Sequence, residues 1–106
     1  MFELKKKGDQ FHFVLKSGNG QVILSSEMYN TKAAAKNGIA SVQKNCGDDK
    51  CFEKKEAKNG KFHFNLKSTN GQIIGSSQMY AAEAGVKTGI ESVRKNAPSA
   101  EIKEVE

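Results

Sequence analysis

The sequence has few cysteines, a single proline and no long apolar run. No run approaches the roughly 20 apolar residues that a membrane-spanning helix needs, which excludes such a helix. Cys46 and Cys51 are the only cysteines, and two thiols cannot supply the four ligands of a structural zinc site. Because no compact His-x-His or Cys-x-x-Cys pattern adds ligands, we expect two free thiols, no metal and no other cofactor.

The amino-terminal residues 1–7 include no apolar stretch of the kind found in secretory signals, so we expect a cytoplasmic protein whose thiols stay reduced. The 106 residues carry 17 lysines and arginines against 12 acidic residues, a formal charge of +5. The excess is divided between the halves, with eight lysines against five acids in residues 1–51. This balance permits nucleic acid or an acidic partner without requiring either. It indicates charge that is spread over the surface.

An internal duplication organises the chain. A shift of 51 residues lays residues 11–45 on residues 62–96 without a gap, and 22 of the 35 positions are identical. Identity between two parts of one chain reports common origin and shared geometry rather than selection for a function. No Gly/Ser-rich linker separates the copies, and only Pro98 interrupts the chain. We therefore expect one domain, 1–106, made of two repeats at about 1–50 and 51–106.

Each repeat contains a predicted hairpin. Residues 11–16, like their copies in the second repeat, alternate apolar with polar side chains, which is the period of a half-buried strand. The glycine-bearing segment 17–20 then predicts a turn into a strand at 21–26. Two turns fit, either a two-residue Asn-Gly loop or a type I turn closed by a glycine bulge. The second, which we favour, would place Ile23 and Ile74 on the face of the phenylalanines.

A helix is predicted in each repeat, over about residues 32–44 and 82–95. Its apolar residues recur at i, i+3, i+4 and i+7, a single stripe wide enough to cover a sheet. Thr31 suits an N-cap, whereas Ala82 offers the second helix none. The glycine on each stripe, Gly38 in the first helix, indicates a close approach of helix and sheet.

Further strands are predicted at residues 2–6 and 51–56, which head the two repeats, and at residues 101–105. A lone hairpin is marginal in water, and one short helix cannot fully protect one small sheet. The two units are therefore expected to share one sheet and one core in an α+β fold.

Four motifs occur twice and together suggest a family. They are Phe-x-Phe-x-Leu-Lys, Asn-Gly-Gln-x-Ile, Ser-Ser-x-Met-Tyr and Gly-Ile-x-Ser-Val-x-x-Asn. With them the chain, over nearly its whole length, resembles the YegP-like family of small, uncharacterised bacterial proteins. The resemblance implies tandem β-β-β-α-β units that form one antiparallel-type sheet, with two helices on one face and exchanged terminal strands. Residues 51–56 would then both end the first unit and begin the second.

The resemblance also bears on assembly and activity. Single-repeat relatives reach the same arrangement as homodimers, so a tandem chain is implied to be a monomer, a covalent pseudo-dimer of its own. The family brings no established activity, so it assigns no catalytic or binding residue to this sequence.

Two histidines and two lysines are candidate contacts for a ligand or partner. His12 and His63 occupy matching strand positions opposite to the phenylalanine face, with Lys16 and Lys67 farther along the same strands. We expect the imidazoles to be exposed, and an axis between the repeats could bring them together. They could bind an anion or transfer a proton. Acid–base catalysis also needs a positioned partner and a pocket, and no carboxylate is retained within the aligned stretch.

Tyr29 and Tyr80 lie just before the predicted helices. We expect them to pack across the helix starts, and contact with a partner is the other interpretation. The paired serines lack a Gly-x-Ser-x-Gly elbow, and the glycine turns match neither common nucleotide-binding pattern.

The sequence therefore predicts a non-enzymatic binding or structural module, because folding signals are complete and no catalytic constellation accompanies them. The second hypothesis is weak, sequence-nonspecific nucleic-acid binding through a basic surface. It depends on which way the Phe-x-Phe strands face, since aromatic side chains covered by helices leave no platform on which bases could stack.

Overall fold

The computed structural model describes residues 1–105, and these form seven strands and two helices. The elements are, in chain order, β1 (Phe2–Lys7), β2 (Gln10–Lys16), β3 (Val22–Ser26), α1 (Lys32–Asn45), β4 (Phe52–Glu56), β5 (Phe62–Lys67), β6 (Ile73–Ser76), α2 (Glu83–Asn96) and β7 (Ile102–Val105). A short 3-10 turn at Asp49–Cys51 leads directly into β4. Both helices begin and end within one residue of the predicted bounds.

All seven strands form one sheet in the order β4-β5-β6-β3-β2-β1-β7. Neighbouring strands are antiparallel except β7, which lies parallel to β1. The last strand of the second repeat thus joins the first repeat, which confirms the expected exchange at this end. Among the strands of residues 1–105, β4 pairs with β5 alone, so it begins the second repeat without closing the first. The exchange is one-sided.

The hairpin between β2 and β3 has the bulged turn. Gly20 donates its N–H to the Ser17 carbonyl over 2.9 Å, and its φ is +83°, a conformation that glycine adopts at little steric cost. Gly71 repeats this geometry with a φ of +84°. The register that the turn sets places Ile23 and Ile74 towards the helices, where each is 5% exposed, and a second irregularity follows in each hairpin, between Leu15 and Lys16 and between Leu66 and Lys67. The favoured turn is therefore confirmed.

The two helices pack on one face of the sheet and share one core. Thr31 caps α1, because its Oγ1 accepts a hydrogen bond from the Ala34 N–H over 3.0 Å. Ala82 has nearly the same backbone conformation and makes no side-chain cap, as expected. The core joins both repeats, and its largest fully buried side chains are Phe2, Phe13, Phe64, Leu15, Leu24, Ile39, Leu66, Val42, Val86, Val93 and Cys46.

Two helix glycines leave room for the tyrosines. A Cβ on Gly38 would meet the Tyr29 hydroxyl and lie 2.9 Å from Cε2 of Phe13, and a Cβ on Gly89 would meet the Tyr80 hydroxyl. The ring of Tyr29 stacks on Phe13, with centroids 6.2 Å apart. The close helix–sheet approach and the packing interpretation of the tyrosines are both confirmed.

Candidate functional site

The sheet surface that faces away from the helices, called here the open face, concentrates the positive charge. Strand alternation places six lysines and two glutamates of β1, β2, β4, β5 and β7 on this surface. The residues are Lys5, Lys7, Lys16, Lys55, Lys67, Lys103, Glu3 and Glu53. The excess is divided between the repeats, as their composition indicates, but most of it lies on one side of the molecule.

In the first repeat, Glu3 lies between two lysines on the open face. Its Oε2 is 3.0 Å from Lys16 Nζ, and its Oε1 is 3.8 Å from Lys5 Nζ. The hydrogen bond from Lys16, which outweighs the opposing effect of desolvation, lowers the pKa of the Glu3 carboxyl.

The second repeat builds the same cluster around Glu53. Lys67 Nζ is 2.7 Å from one carboxylate oxygen, and Lys55 Nζ is 3.6 Å from the other. Asn65 adds a hydrogen bond of 3.3 Å through its Nδ2. The hydrogen bonds from Lys67 and then Asn65 lower the pKa of the Glu53 carboxyl.

Sequence comparison missed these glutamates because they lie outside the gap-free alignment. A shift of 50 residues, instead of 51, lays Phe2-Glu3 on Phe52-Glu53. The turn between β4 and β5 is longer than the two-residue turn between β1 and β2, which moves the register by one residue. Aligning the two leading strands separately would have revealed the pair.

The histidines lie on the open face, but their surroundings differ from the expectation. His12 is opposite Lys5 and His63 is opposite Lys55, whereas Lys16 and Lys67 contact the glutamates. Both imidazoles are half-buried rather than exposed, because long neighbouring side chains flank them on the sheet. Within residues 1–105, Nδ1 of each histidine is buried and makes no hydrogen bond.

Charge and burial act together on His12. Burial, followed by the positive charges of Lys5 and Lys7, lowers the pKa of its imidazole. The neutral ring is therefore favoured at neutral pH, and His12 adds little to the positive charge of the face.

The structure does not bring the two histidines together. The pseudo-twofold axis passes between Ser25 and Ser76, which are directly opposite each other on β3 and β6. His12 on β2 and His63 on β5 are therefore three strand spacings apart, roughly 14 Å. The expectation of a joint histidine site at the axis is wrong.

The tyrosines line two clefts on the helix side of the sheet. One cleft, of about 420 Å³, contains Tyr80 and lies between the first repeat's turn at Ser17 and helix α2. Its counterpart, of about 380 Å³, contains Tyr29 and lies between the second repeat's turn at Ser68 and helix α1. The tyrosines are half-buried, and each lines its cleft.

The aromatic strand residues face the helices. Phe13 and Phe64 are fully buried, and Phe11 and Phe62 pack against the same core. The Phe-x-Phe strands therefore offer no platform for base stacking, and a nucleic acid could use only the charges of the open face.

Two broader properties follow from the part of the chain that the structure describes. Across residues 1–105, histidine, cysteine and carboxylate side chains form no group of three or more that could hold a metal ion. Over the same residues, neither helix is long and apolar enough to cross a membrane.

The duplicated sheet, its two covering helices and the lysine-rich open face define a class of tandem-repeat α+β modules. Two stretches of the chain, residues 6–53 and 57–104, match the model of the domain of unknown function DUF1508. The UPF0339 protein YegP of Shigella flexneri is 57% identical over 104 residues, which cover 97% of this chain and 94% of that protein. The chain belongs to this DUF1508 family of YegP-like proteins, whose function is uncharacterised.

Two solution NMR structures have the same fold. The Escherichia coli protein of unknown function YegP superimposes with a TM-score of 0.92 at 56% identity, covering 97% of this chain and 90% of its own. The UPF0339 protein of Shewanella oneidensis also gives a TM-score of 0.92, at 51% identity over 97% of this chain and 88% of its own.

Proposed function

We propose that the protein is a non-enzymatic binding module that presents its open face to an acidic segment of a partner protein. The observation that carries the proposal is the count of six lysines against two glutamates on the strands of this face. Such an excess attracts acidic surfaces and accelerates their association.

The same geometry argues against a catalytic role. An acid–base centre needs a group that orients the catalytic side chain. Neither His12 nor His63 has a hydrogen-bond partner at Nδ1 within residues 1–105, and each lies opposite a lysine rather than a carboxylate. A substrate turnover that is abolished by His12→Gln or His63→Gln would contradict the non-enzymatic assignment.

A second candidate is the phosphate backbone of single-stranded nucleic acid, which the lysine excess also favours. Against it, Glu3 and Glu53 lie within the face and neutralise part of the charge of Lys16 and Lys67. Carboxylates among the lysines repel a continuous polyanion, whereas a protein segment can place its acids beside individual lysines.

An NMR titration separates the two candidates. The ¹⁵N-labelled protein is titrated with a ten-residue oligoglutamate and with a single-stranded DNA of matched charge, each at low and high salt. The proposal predicts salt-dependent shifts on β1, β2, β4 and β5, with oligoglutamate binding at least as tightly as DNA. Tighter binding of the DNA would favour the second candidate, and shifts on no common face would contradict both.

Matched double variants locate the surface. Lys5→Gln with Lys55→Gln removes the two lysines opposite the histidines, and we expect binding to weaken at least about fivefold. The control, Lys44→Gln with Lys95→Gln, removes two exposed, repeat-related lysines near the carboxyl ends of the helices. An equal loss in both double variants would mean that the open face has no special role.

A further inference from the structure

The strands β1 and β4 occupy equivalent positions in the two repeats, but in the described part of the chain only β1 has a strand on its outer side. The first repeat's outer strand, β1, pairs in parallel with β7. The second repeat's outer strand, β4, ends the sheet, and no strand within residues 1–105 lies beside it. The free edge of β4 is separate from the open face. The edge of β1, which β7 occupies, shows which contacts a strand added beside β4 would make.

On the occupied edge, β7 places an apolar and an acidic side chain along β1. Ile102 is beside Phe2 and Glu104 is beside Leu4. Under this cover, Phe2 is 0% exposed and Leu4 is 2% exposed. The edge is thus completed by an extended segment whose register is fixed by the parallel ladder.

The acid on β7 is held by helix α1. Glu104 is 2.5 Å from Lys32 Nζ and 3.9 Å from Lys36 Nζ. Hydrogen bonding from Lys32 and the charges of both lysines lower the pKa of the Glu104 carboxyl. An apolar residue followed two positions later by an acid therefore suits this type of edge.

The corresponding groove beside β4 is open. Phe52 and Lys54 occupy the positions of Phe2 and Leu4, but Phe52 is only half-buried and Lys54 is exposed. A groove of about 520 Å³ lies between this strand and helix α2. Its lining residues are Asp49, Phe52, Lys54, Lys87, Ile90, Glu91 and Arg94.

The charge of the groove matches that of the occupied edge in part, since Glu83 stands at the repeat position of Lys32, the lysine nearer to Glu104. Lys87 is the repeat counterpart of Lys36, which contacts the acid on β7. Lys54 adds a second cation where the first repeat has an apolar leucine. An acidic side chain in an added strand would therefore lie near these two lysines, with Glu91 also in the lining of the groove.

One end of the groove is closed by the chain itself. The Phe52 N–H donates to the Asp49 carbonyl, whereas the Phe2 N–H donates to the Glu101 carbonyl near β7. Arg94 lies over the Phe52 ring at 5.5 Å and pairs with Asp49. The Phe52 N–H is therefore occupied, and the first outward-facing N–H of β4 that is open to a partner is that of Lys54.

We propose that β4 binds an extended segment of a partner protein as an added parallel strand. The segment carries an apolar residue beside Phe52 and, two positions later, an acidic residue near Lys54 and Lys87. Backbone hydrogen bonds supply affinity in this mode of recognition, and the alternate side chains supply specificity. The added strand comes from another protein rather than from β7 of a second copy, because Glu104 of β7 already pairs with Lys32 in its own chain.

The test uses a peptide of the sequence of residues 99–105, Ser-Ala-Glu-Ile-Lys-Glu-Val, and the ¹⁵N-labelled full chain. We expect saturable shifts at Phe52–Glu56 and along the groove face of α2. A control peptide with lysine in place of its second glutamate should bind at least about fivefold more weakly, because it would oppose two lysines.

Two protein variants locate the site. Lys87→Glu should weaken binding of the unmodified peptide at least about fivefold. Lys95→Glu, farther along the same helix, should leave that binding unchanged. Lys54→Pro removes the outward N–H and should abolish binding, since proline is tolerated at an edge strand but cannot donate. If Lys54→Pro unfolds the protein, the comparison of Lys87→Glu with Lys95→Glu still decides.

Three results would overturn the proposal. The first is the absence of shifts at millimolar peptide, and the second is shifts at β1 and β7, which would mean that the peptide displaces the chain's own strand. The third is a concentration-dependent dimer of the protein whose contacts lie at β4, because a second copy would then occupy the edge.

Discussion

The outer strands β1 and β4 differ more between the two repeats than the hairpins and helices do. The hairpins, helices and tyrosine–glycine contacts repeat closely, yet Phe2 on β1 is fully buried and Phe52 on β4 is not. The difference arises in the segments that follow the helices. After α2 the chain reaches β7, whereas after α1 the turn at Asp49–Cys51 enters β4 at once. Within the described residues, 1–105, the joined pair of repeats thus has one closing strand, β7, and the edge at β4 remains open.

The largest expected difference is between Phe2→Ala and Phe52→Ala. Removing the fully buried ring of Phe2 should lower the free energy of unfolding by about 3–5 kcal/mol, because it leaves a cavity beneath β7. Removing the half-buried ring of Phe52 should lower the free energy of unfolding by about half as much. Urea unfolding of both variants measures the two losses, and equal losses would contradict the difference between the edges.

The seam between the repeats offers a second test. Gly75 stands where the first repeat has Leu24, and a Cβ there would lie 2.8 Å from the Ser25 carbonyl oxygen. Because that neighbour is backbone, Gly75→Ala should destabilise the protein by about 1–3 kcal/mol. The control is Gly18→Ala, in which the new Cβ has no atom within 4 Å. A seam that tolerates both changes equally would contradict the close packing at the axis.

The helix starts differ by one side chain and should respond in opposite directions. Thr31→Ala removes the cap of α1 and should cost about 1 kcal/mol. Ala82→Thr should add about the same stability to α2, since the backbone at residue 82 already has the cap conformation. Thermal unfolding of both variants checks the signs.

The smallest effect concerns the glutamates of the open face. The fold lowers the pKa of both Glu3 and Glu53, so their stabilising effect is complete above the ordinary glutamate pKa of about 4.3. It is lost as the pH falls through the lowered values. The double variant Glu3→Gln with Glu53→Gln should therefore flatten the acid side of the stability profile, measured by urea unfolding from about pH 6 to pH 3. An unchanged slope would contradict the lysine–glutamate geometry.

Local patterns predicted much of the fold, because each depends on neighbours in sequence. The alternation in residues 11–16 gave a half-buried strand, and the absence of a cap at Ala82 was visible in the residue itself. The exchange of β7 followed from family resemblance alone. Local patterns did not predict that β4 lacks an outer partner among residues 1–105. This outcome depends on the turn at Asp49–Cys51, which is only three residues long and leads directly into β4.

The open face was only partly predictable. His12 and His63 were placed on the correct side of the sheet, because strand alternation fixes the facing of a residue. Their distance from each other depends on strand order, which local patterns do not specify. Glu3 and Glu53 were missed because a single extra residue in the β4–β5 turn hides their correspondence.

Amide hydrogen exchange tests the difference between the edges most directly. The Leu4 N–H faces β7 and the Lys54 N–H faces the open edge, while the neighbouring amides of Glu3 and Glu53 face inwards and serve as standards. In the ¹⁵N-labelled protein we expect Leu4 to be protected nearly as well as Glu3, and Lys54 to exchange far faster than Glu53. Equal protection of Leu4 and Lys54 would contradict the account.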